Sequence, residues 1–386
     1  MNMAKTSRDR QWAAERTGVS ILRNIMDHPS ATRRTVSEDL KLSFPNVCRL
    51  VAAFQDSGIL AEHEMRQVGK RGPMSKTLSL RGDIGCTIGV DLEATQLRAV
   101  ALDYANQVVA VLRKPVPSDT SAGDLTALVA KMARDMVGVA KKKVLPGHAV
   151  GLALPGPVIY ESTGRVLTEL QTGMSDVEFI PEAREAARLP TFSDANTVCF
   201  AIGHHRFHHP RRRDTAMVVL NRFGLGVCVL RGDEVFSGEL GLLPFGVGST
   251  AIRYHDVCTG ASLLRFARKS GDSRDLQAIL SSPDDPLLTD WLDAAAPAFA
   301  QAIYCGIVMY SPDRVVIEGI FSSLPERVRA DIARIVTEKL ASVGLSAPSI
   351  GLFEGDDLMG ARGAALMARD HVADDVLTEL VRAMRS

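Results

Sequence analysis

Two residues near position 50 have side chains that can recognise DNA bases. Asn46 and Arg49 stand three positions apart, and each of these residue types can make two hydrogen bonds to the edge of one base. Ser43 and Phe44 precede them directly. At the start of a helix this spacing brings all four residues within reach of bases or phosphates. The pattern predicts a DNA-contact site formed by Ser43, Phe44, Asn46 and Arg49.

Three predicted helices position these residues. Apolar residues recur at helical spacing in 16–28 and 44–56, and a short helix is predicted between them at 32–40. Ser43 can cap the third helix, and Pro45 suits its first turn. This order predicts a helix-turn-helix whose third helix enters the major groove. The alternative is a helical bundle that serves only in oligomerisation.

A basic hairpin is predicted after the third helix. Residues 59–80 alternate in polarity around a Gly-Lys-Arg-Gly-Pro tip that carries Lys70 and Arg71. An arginine held between small, rigid residues suits insertion into a minor groove. Residues 1–80 carry 13 Lys and Arg against 8 Asp and Glu, a net +5, whereas the remainder carries 32 against 37, a net −5. The charge therefore favours a polyanionic partner for the N-terminal unit alone.

The composition excludes several classes of protein. Of the 386 residues, 46% are hydrophobic and 23% charged, which excludes a disordered, collagen-like or disulfide-scaffold chain. No unbroken apolar run approaches the roughly 18 residues that a membrane helix needs. The first residues are polar, so no secretory signal is expected. Six cysteines without a Cys-x-x-Cys pair predict free thiols in a reducing cytoplasm.

The body of the chain repeats one pattern. Short β-type runs with tight connections come first, and strand–helix alternation follows, with a long helix at 121–143. The predicted strands are 84–91, 96–103, 107–113, 148–154, 214–221, 225–237, 314–318 and 349–353. Because the pattern occurs twice, it predicts two related α/β lobes with a cleft between them.

The order of motifs in this body resembles a known family. Behind the predicted winged helix the chain reads IGVDLEAT, GLALPGPV, SDAN, FGLGVCVLRGDEVFSGELG and DRVVIEGI. In this order the chain resembles the ROK family (repressor, open reading frame, kinase), in its sugar-responsive regulator branch. The resemblance implies an α+β winged helix-turn-helix followed by a two-lobed α/β body of the actin-like, sugar-kinase or ribonuclease H-like fold. The expected domains are 1–80, a first lobe 81–198 with a C-terminal helix 370–386, and a second lobe 199–369.

Three nucleotide-binding elements of the kinases in this family are altered here. The phosphate loop Asp-x-Gly-Gly-Thr corresponds to Asp91–Thr95, where Glu93 and Ala94 replace both glycines. Glycines let backbone N–H groups approach phosphate closely, and a carboxylate there repels it. The second loop corresponds to Asn221–Phe223 and the adenosine-side Gly-Gly to Glu318 and Gly319. The resemblance therefore implies a body without kinase activity and without a cofactor.

The zinc site that is frequent in the family is also expected to be absent. Leu242 stands where the family has a histidine, and leucine cannot ligate zinc. Only Cys258 remains of the cysteine-rich loop.

The sugar-side residues of the family are partly retained. Asp194 matches the catalytic aspartate of the kinases, Glu239 matches a second sugar-contacting carboxylate, and Gln171 lies near the position of a sugar-binding asparagine. His255 replaces a third carboxylate and adds a donor that can become cationic near neutral pH, which favours an acidic or phosphorylated ligand. Taken alone, Asp194 is a helix cap, Glu239 a surface residue in a glycine-rich turn, and His255 a satisfied histidine.

One histidine cluster lies outside the resemblance. His204, His205, His208 and His209 form two pairs at i, i+4, a spacing that can hold a metal ion if the helix continues. Pro210 and the basic run after it instead favour a solvated helix end.

These observations predict a cytoplasmic DNA-binding transcriptional regulator, a repressor, with operator DNA and a sugar-like effector as partners. Two-fold operator symmetry predicts a homodimer or a dimer of dimers. The alternatives are an ATP-dependent sugar kinase with an appended DNA-binding unit, and a regulator whose cleft serves only as a scaffold for dimerisation.

Overall fold

The computed structural model describes residues 2–64, 76–117, 120–156, 158–160, 162–167, 175–208, 214–232, 234–246, 252–353 and 356–384. The N-terminal unit has three helices and an antiparallel strand pair. Its elements are α1 (Asn2–Asp27), α2 (Arg33–Asp39), α3 (Phe44–Asp56), β1 (Leu60–Glu64) and β2 (Lys76–Leu80). Val47, Val51 and Phe54 bury one face of α3, as its apolar spacing predicts. The arrangement is consistent with a winged helix-turn-helix.

The predicted cap of α3 is wrong in one respect. Ser43 occupies the N-cap position, but its hydroxyl makes no hydrogen bond to the first turn. Its backbone carbonyl instead accepts the N–H groups of Asn46 at 3.0 Å and Val47 at 3.1 Å. Pro45 has no N–H group, and the N–H groups of the next two residues are already bonded to this carbonyl. None of these three residues therefore needs the Ser43 hydroxyl as an acceptor.

The first lobe is built on a five-stranded sheet. The elements of this lobe are β3 (Cys86–Leu92), β4 (Gln96–Asp103), β5 (Val108–Pro115), α4 (Ala122–Lys142), β6 (Gly147–Leu154), β7 (Val158–Tyr160), β8 (Arg165–Leu167), β9 (Ser175–Glu178), α5 (Ile180–Ala187) and β10 (Thr191–Ala195). The order of strands in the sheet is β10-β6-β3-β4-β5. Strands β5, β4 and β3 form an antiparallel meander, and β6 and β10 add to it in parallel. Strands β7, β8 and β9 form a separate small sheet.

The second lobe repeats this topology. The elements that follow the first lobe are α6 (Asn196–His208), β11 (Thr215–Asn221), β12 (Leu225–Arg231), β13 (Glu234–Gly238), β14 (Pro244–Phe245), β15 (Ile252–Arg253), α7 (Gly260–Lys269), α8 (Leu276–Leu280), α9 (Pro286–Tyr310), β16 (Arg314–Gly319), α10 (Ile320–Ser323), α11 (Glu326–Ser342), β17 (Ser349–Leu352) and α12 (Met359–Ala383). The strand order β17-β16-β11-β12-β13 again joins a parallel pair to an antiparallel meander. The predicted strand at 225–237 is a hairpin of two strands, because Gly232 turns the chain at a φ of 63°.

Helix α12 is longer than predicted and returns to the first lobe. The helix expected at 370–386 is its second half, and the expected boundary at residue 369 falls inside it. Gly89 and Gly151 face each other in register on β3 and β6, and α12 crosses them closely. A Cβ atom at Gly89 would lie 1.8 Å from the carbonyl oxygen of Ala361. Only glycine permits this approach.

Helix α9 is long and apolar enough to cross a bilayer by length and composition alone. Its residues Leu288, Trp291, Phe299 and Ile303 are buried in the core of the second lobe. Packing in that core accounts for its apolar composition, so the helix is weak evidence for a membrane span.

Candidate functional site

The start of α3 presents the predicted DNA-contact residues on one surface. Ser43, Phe44 and Arg49 are exposed, and Asn46 is half-buried. Arg49 donates a hydrogen bond from Nη2 to Oδ1 of Asn46 at 2.9 Å, so the two side chains that can recognise bases are in contact. Half of Phe44 is exposed. Lys70 and Arg71 lie outside the described residues.

A cleft of about 630 Å³ lies between the two lobes. Its volume is within the range of sites for small organic ligands. Glu93 and Gly156 border it from the first lobe, and Leu225, Glu239 and His255 from the second. Two of the predicted effector-binding residues thus face one cavity. Gln171 lies outside the described residues.

Glu239 stands directly after β13 and borders the cleft. The surrounding walls desolvate its carboxyl group and raise its pKa to about 7. The side chain is still reached by water from the open side of the cleft. Near neutral pH this carboxyl group is present in both the protonated and the ionised form, so it can donate as well as accept a hydrogen bond.

His255 lies in a short 3-10 turn, Tyr254–Asp256, and only 2% of it is exposed. Burial lowers the pKa of its imidazole to about 4, although the charge of Asp256 opposes the shift. The ring is therefore neutral at pH 7, and the expected cationic contact is wrong. Among the described residues, no group bonds its buried Nε2 atom. Such an atom is rare in native proteins and is explained where a ligand or water completes it.

Asp194 lies at the end of β10, next to the cleft. Its Oδ1 accepts a hydrogen bond from the N–H of Ala195 at 2.7 Å, a contact that belongs to the start of α6. Ala195 and Asn196 border the cleft, but Asp194 does not. Asp194 therefore lies next to the cavity that holds Glu239 and His255 but does not border it.

The altered loops form a cluster of charges that the sequence did not reveal. Arg222, in the turn between β11 and β12, forms two hydrogen bonds to Glu318, at 2.8 and 3.1 Å, and pairs with Glu93. Its Nη1 lies 3.7 Å from Asp91, which is completely buried. Burial raises the pKa of Asp91, and Arg222 opposes this shift. Arg222 lies 96 residues before Glu318 and still farther from Glu93 along the chain, so no local pattern indicated this cluster.

The histidine cluster is not a solvated helix end throughout. His204 and His205 are 5% and 6% exposed, because this part of α6 packs into the body. The rings of His204 and His208 lie 5.2 Å apart, beside Phe353. Within the described part of the chain, which does not include His209, no three His, Cys, Asp or Glu side chains are grouped closely enough to hold a metal ion.

Comparison with solved structures gives both regulators and kinases. A ROK family transcriptional regulator, a homologue of the E. coli MLC protein, is 16% identical, with a TM-score of 0.70 over 96% of this chain and 98% of that chain. A ROK family glucokinase from Streptomyces griseus, solved with glucose and AMPPNP, is 18% identical, with a TM-score of 0.62 over 74% and 100%. A ROK hexokinase from Thermus thermophilus is 20% identical, with a TM-score of 0.59 over 75% and 99%.

No curated protein sequence matches the chain. At these identities the structural matches establish the fold: a ROK body of two related α/β lobes, preceded by a helical N-terminal unit. The family comparison is independent of them and matches residues 87–371, which include both lobes and most of α12. The chain therefore belongs to the ROK family.

Proposed function

We propose that this chain is a DNA-binding transcriptional regulator, a repressor of carbohydrate-uptake or catabolic genes. Ser43, Phe44, Asn46, Arg49, Lys70 and Arg71 contact operator DNA in this proposal. A sugar or sugar derivative binds in the cleft near Asp194, Glu239, His255 and Gln171 and changes the affinity for DNA. The protein acts in the cytoplasm as a homodimer or a dimer of dimers, so that two copies of α3 meet two half-sites.

The exposed start of α3 carries the DNA-binding part of the proposal. Asn46 and Arg49 are held together there on a surface that the rest of the protein leaves uncovered. The fold likeness supports the same conclusion, because the regulator matches 96% of this chain whereas the two kinases match 75% and 74%. A match over 96% has to include most of the N-terminal unit.

The unpartnered Nε2 of His255 carries the effector part of the proposal. A neutral imidazole and a partly protonated Glu239 on the same cavity offer donors and acceptors without a fixed charge. This environment suits hydroxyl groups. The reason to expect an acidic effector was a cationic His255, and it no longer applies.

The kinase alternative is disfavoured by the Arg222 cluster. Kinases of this fold need backbone N–H groups and free positive charge at the phosphates. Here Glu93 lies between the backbone and the cleft and pairs with the cation. We infer that the body has lost phosphoryl transfer and retains ligand binding.

The DNA-binding proposal is tested with the full-length protein and random duplex DNA. In vitro selection is expected to enrich one palindromic sequence, and fluorescence anisotropy then measures its affinity. Arg49→Ala is expected to weaken binding by about 1–3 kcal/mol, because the arginine reads a base edge. Affinity should also fall steeply with salt concentration.

Arg334→Ala serves as the matched control, since Arg334 is an exposed arginine of the second lobe that pairs with Glu338. Its DNA affinity should equal that of the unaltered protein. Sugars, sugar phosphates and polyols are then added to the complex, and at least one should change the affinity. If no sequence is enriched, the DNA-binding proposal is wrong, and if both variants bind the enriched sequence alike, the proposed contact role of Arg49 is wrong.

A further inference from the structure

Arg222 is a cation at the wall of the cleft, and carboxylates of the protein itself pair with it. The guanidinium group borders the cavity together with Glu93. Nε and Nη2 bond both carboxylate oxygens of Glu318, while Nη1 faces Glu93 and Asp91. A guanidinium has five N–H donors in a fixed plane, and here both of its bonding edges meet carboxylates.

The carboxylates come from both lobes. Asp91 and Glu93 belong to β3 and the turn after it in the first sheet, whereas Glu318 lies in β16 of the second. Glu93 also pairs with Arg98 at 2.8 Å, on the neighbouring strand β4. One arginine thus joins the two sides of the cleft through ion pairs that are largely shielded from water.

The cluster has no spare positive charge. Asp357 extends it, at 3.3 Å from Arg98 and 3.0 Å from Arg113. Four carboxyl groups therefore surround three guanidinium groups in this described part of the chain, and even with Asp91 protonated the charges only balance. The groups involved are Asp91, Glu93, Glu318, Asp357, Arg98, Arg113 and Arg222.

An anionic ligand would gain little from Arg222 in this setting. A phosphate group could reach the guanidinium only by displacing Glu93 or Glu318, and the displaced carboxylate would then remain beside the phosphate in a desolvated place. Removing one partner of a buried ion pair is strongly unfavourable, and like charges at short range add to this cost. An uncharged ligand leaves every pair intact.

We propose that Glu93 and Glu318 act as internal counter-ions that occupy Arg222 in place of a ligand phosphate, so that this side of the cleft selects uncharged, non-phosphorylated parts of a ligand. The ligand class stated here rests on the proposed function, whereas the counter-ion role of the two glutamates does not. Without these carboxylates, Arg222 becomes an anion site.

Isothermal titration calorimetry with tripolyphosphate tests the counter-ion role. Glu93→Gln/Glu318→Gln keeps the shape of both side chains and removes their charges. It is expected to bind tripolyphosphate about 10-fold or more tightly than the unaltered protein, the gain for one new charge-assisted hydrogen-bonded contact. The triple variant, which adds Arg222→Met, should lose this gain in affinity. Any binding of tripolyphosphate to the basic N-terminal unit should be equal in all three proteins.

The inference is overturned if the unaltered protein already binds tripolyphosphate as tightly as the double variant, or if the gain persists without Arg222. Circular dichroism verifies that the variants are folded. Should the double variant not fold, the single variant Glu93→Gln is compared with Glu93→Gln/Arg222→Met in the same way. Failure of DNA selection would overturn the proposed function and leave the calorimetric result unaffected, so the two outcomes are distinguishable.

Discussion

Two residues at one end of the cleft have protonation states that their residue types do not reveal. His255 is neutral because it is almost completely buried, and Glu239 holds a proton near neutral pH because the cleft walls desolvate it. Both shifts remove charge from the cavity. These two groups thus carry less charge in the folded protein than their residue types suggest.

Glu239 makes the stability of the protein depend on pH. The ordinary pKa of a glutamate is 4.5, whereas that of Glu239 in the folded protein is about 7. The native state therefore holds an extra proton between these pH values. The stabilisation that protonated Glu239 gives to the native state is complete below pH 4.5 and is lost as the pH rises through about 7.

Glu239→Gln should remove this contribution. Relative to the unaltered protein, the melting temperature of the variant should rise between pH 5 and pH 8, because glutamine has no charge to desolvate. Thermal unfolding at both pH values measures the change. A difference between the two proteins that is equal at pH 5 and pH 8 would contradict the raised pKa.

At the scale of elements, α6 joins the cleft to the N-terminal unit. Asn196 and Thr197 at its start border the cleft. Near its end, Arg206 donates hydrogen bonds to Asp27 of α1 at 2.9 Å and to Asp370 of α12 at 3.0 Å. One helix thus contacts both the cleft and the N-terminal unit, which the proposed regulator has to couple.

Arg206→Ala should loosen this junction. Only 15% of the Arg206 side chain is exposed, so its loss leaves two partly buried carboxylates with fewer donors. We expect a decrease of about 1–3 kcal/mol in the free energy of unfolding, measured by chemical denaturation. Hydrogen exchange in α1 should also become faster.

Arg34→Ala is the matched control for this change. Arg34 pairs with Glu38 within α2, but 83% of its side chain is exposed. An exposed pair contributes about 0.2–1 kcal/mol or less, so the control should remain close to the unaltered protein. Equal effects of the two substitutions would show that the Arg206 junction contributes nothing beyond a surface ion pair.

Across the assembled protein, the core of the N-terminal unit is shared with α12. Ile21, Leu22 and Phe54 share one buried cluster with Leu377 and Val381 of α12. The helix that crosses the first lobe thus completes the core of the N-terminal unit. Helices α1 and α12 are therefore in direct contact through these buried side chains.

ATP consumption distinguishes a regulator from a kinase. We expect the purified protein to consume no ATP with any member of a sugar panel, because Arg222 is already paired with Glu93 and is not available to a phosphate. A coupled ATPase assay measures this, with Asp194→Asn as the control for contaminating activity. Sugar-dependent ATP consumption clearly above that of the control would favour the kinase alternative.

Local patterns in the sequence predicted most elements of the fold. The bounds of α3, β4 and α4 lie within one residue of the predicted segments. These elements have strong periodicity and clear ends, so neighbouring residues specify them. The exposed positions of Ser43, Phe44 and Arg49 follow from the same periodicity, since the opposite face of α3 is apolar.

Packing between distant parts of the chain determines the properties that no local pattern indicates. The sequence shows Glu93, Arg222 and Glu318 as three separate changes to family motifs, and folding joins them into one ion-pair cluster. It shows His204, His205 and His255 as polar residues, and packing buries them. Residues close together in the chain determine where a helix forms. Burial, pKa values and ion pairs instead depend on which elements pack together, and this packing exists only when both lobes and α12 are assembled.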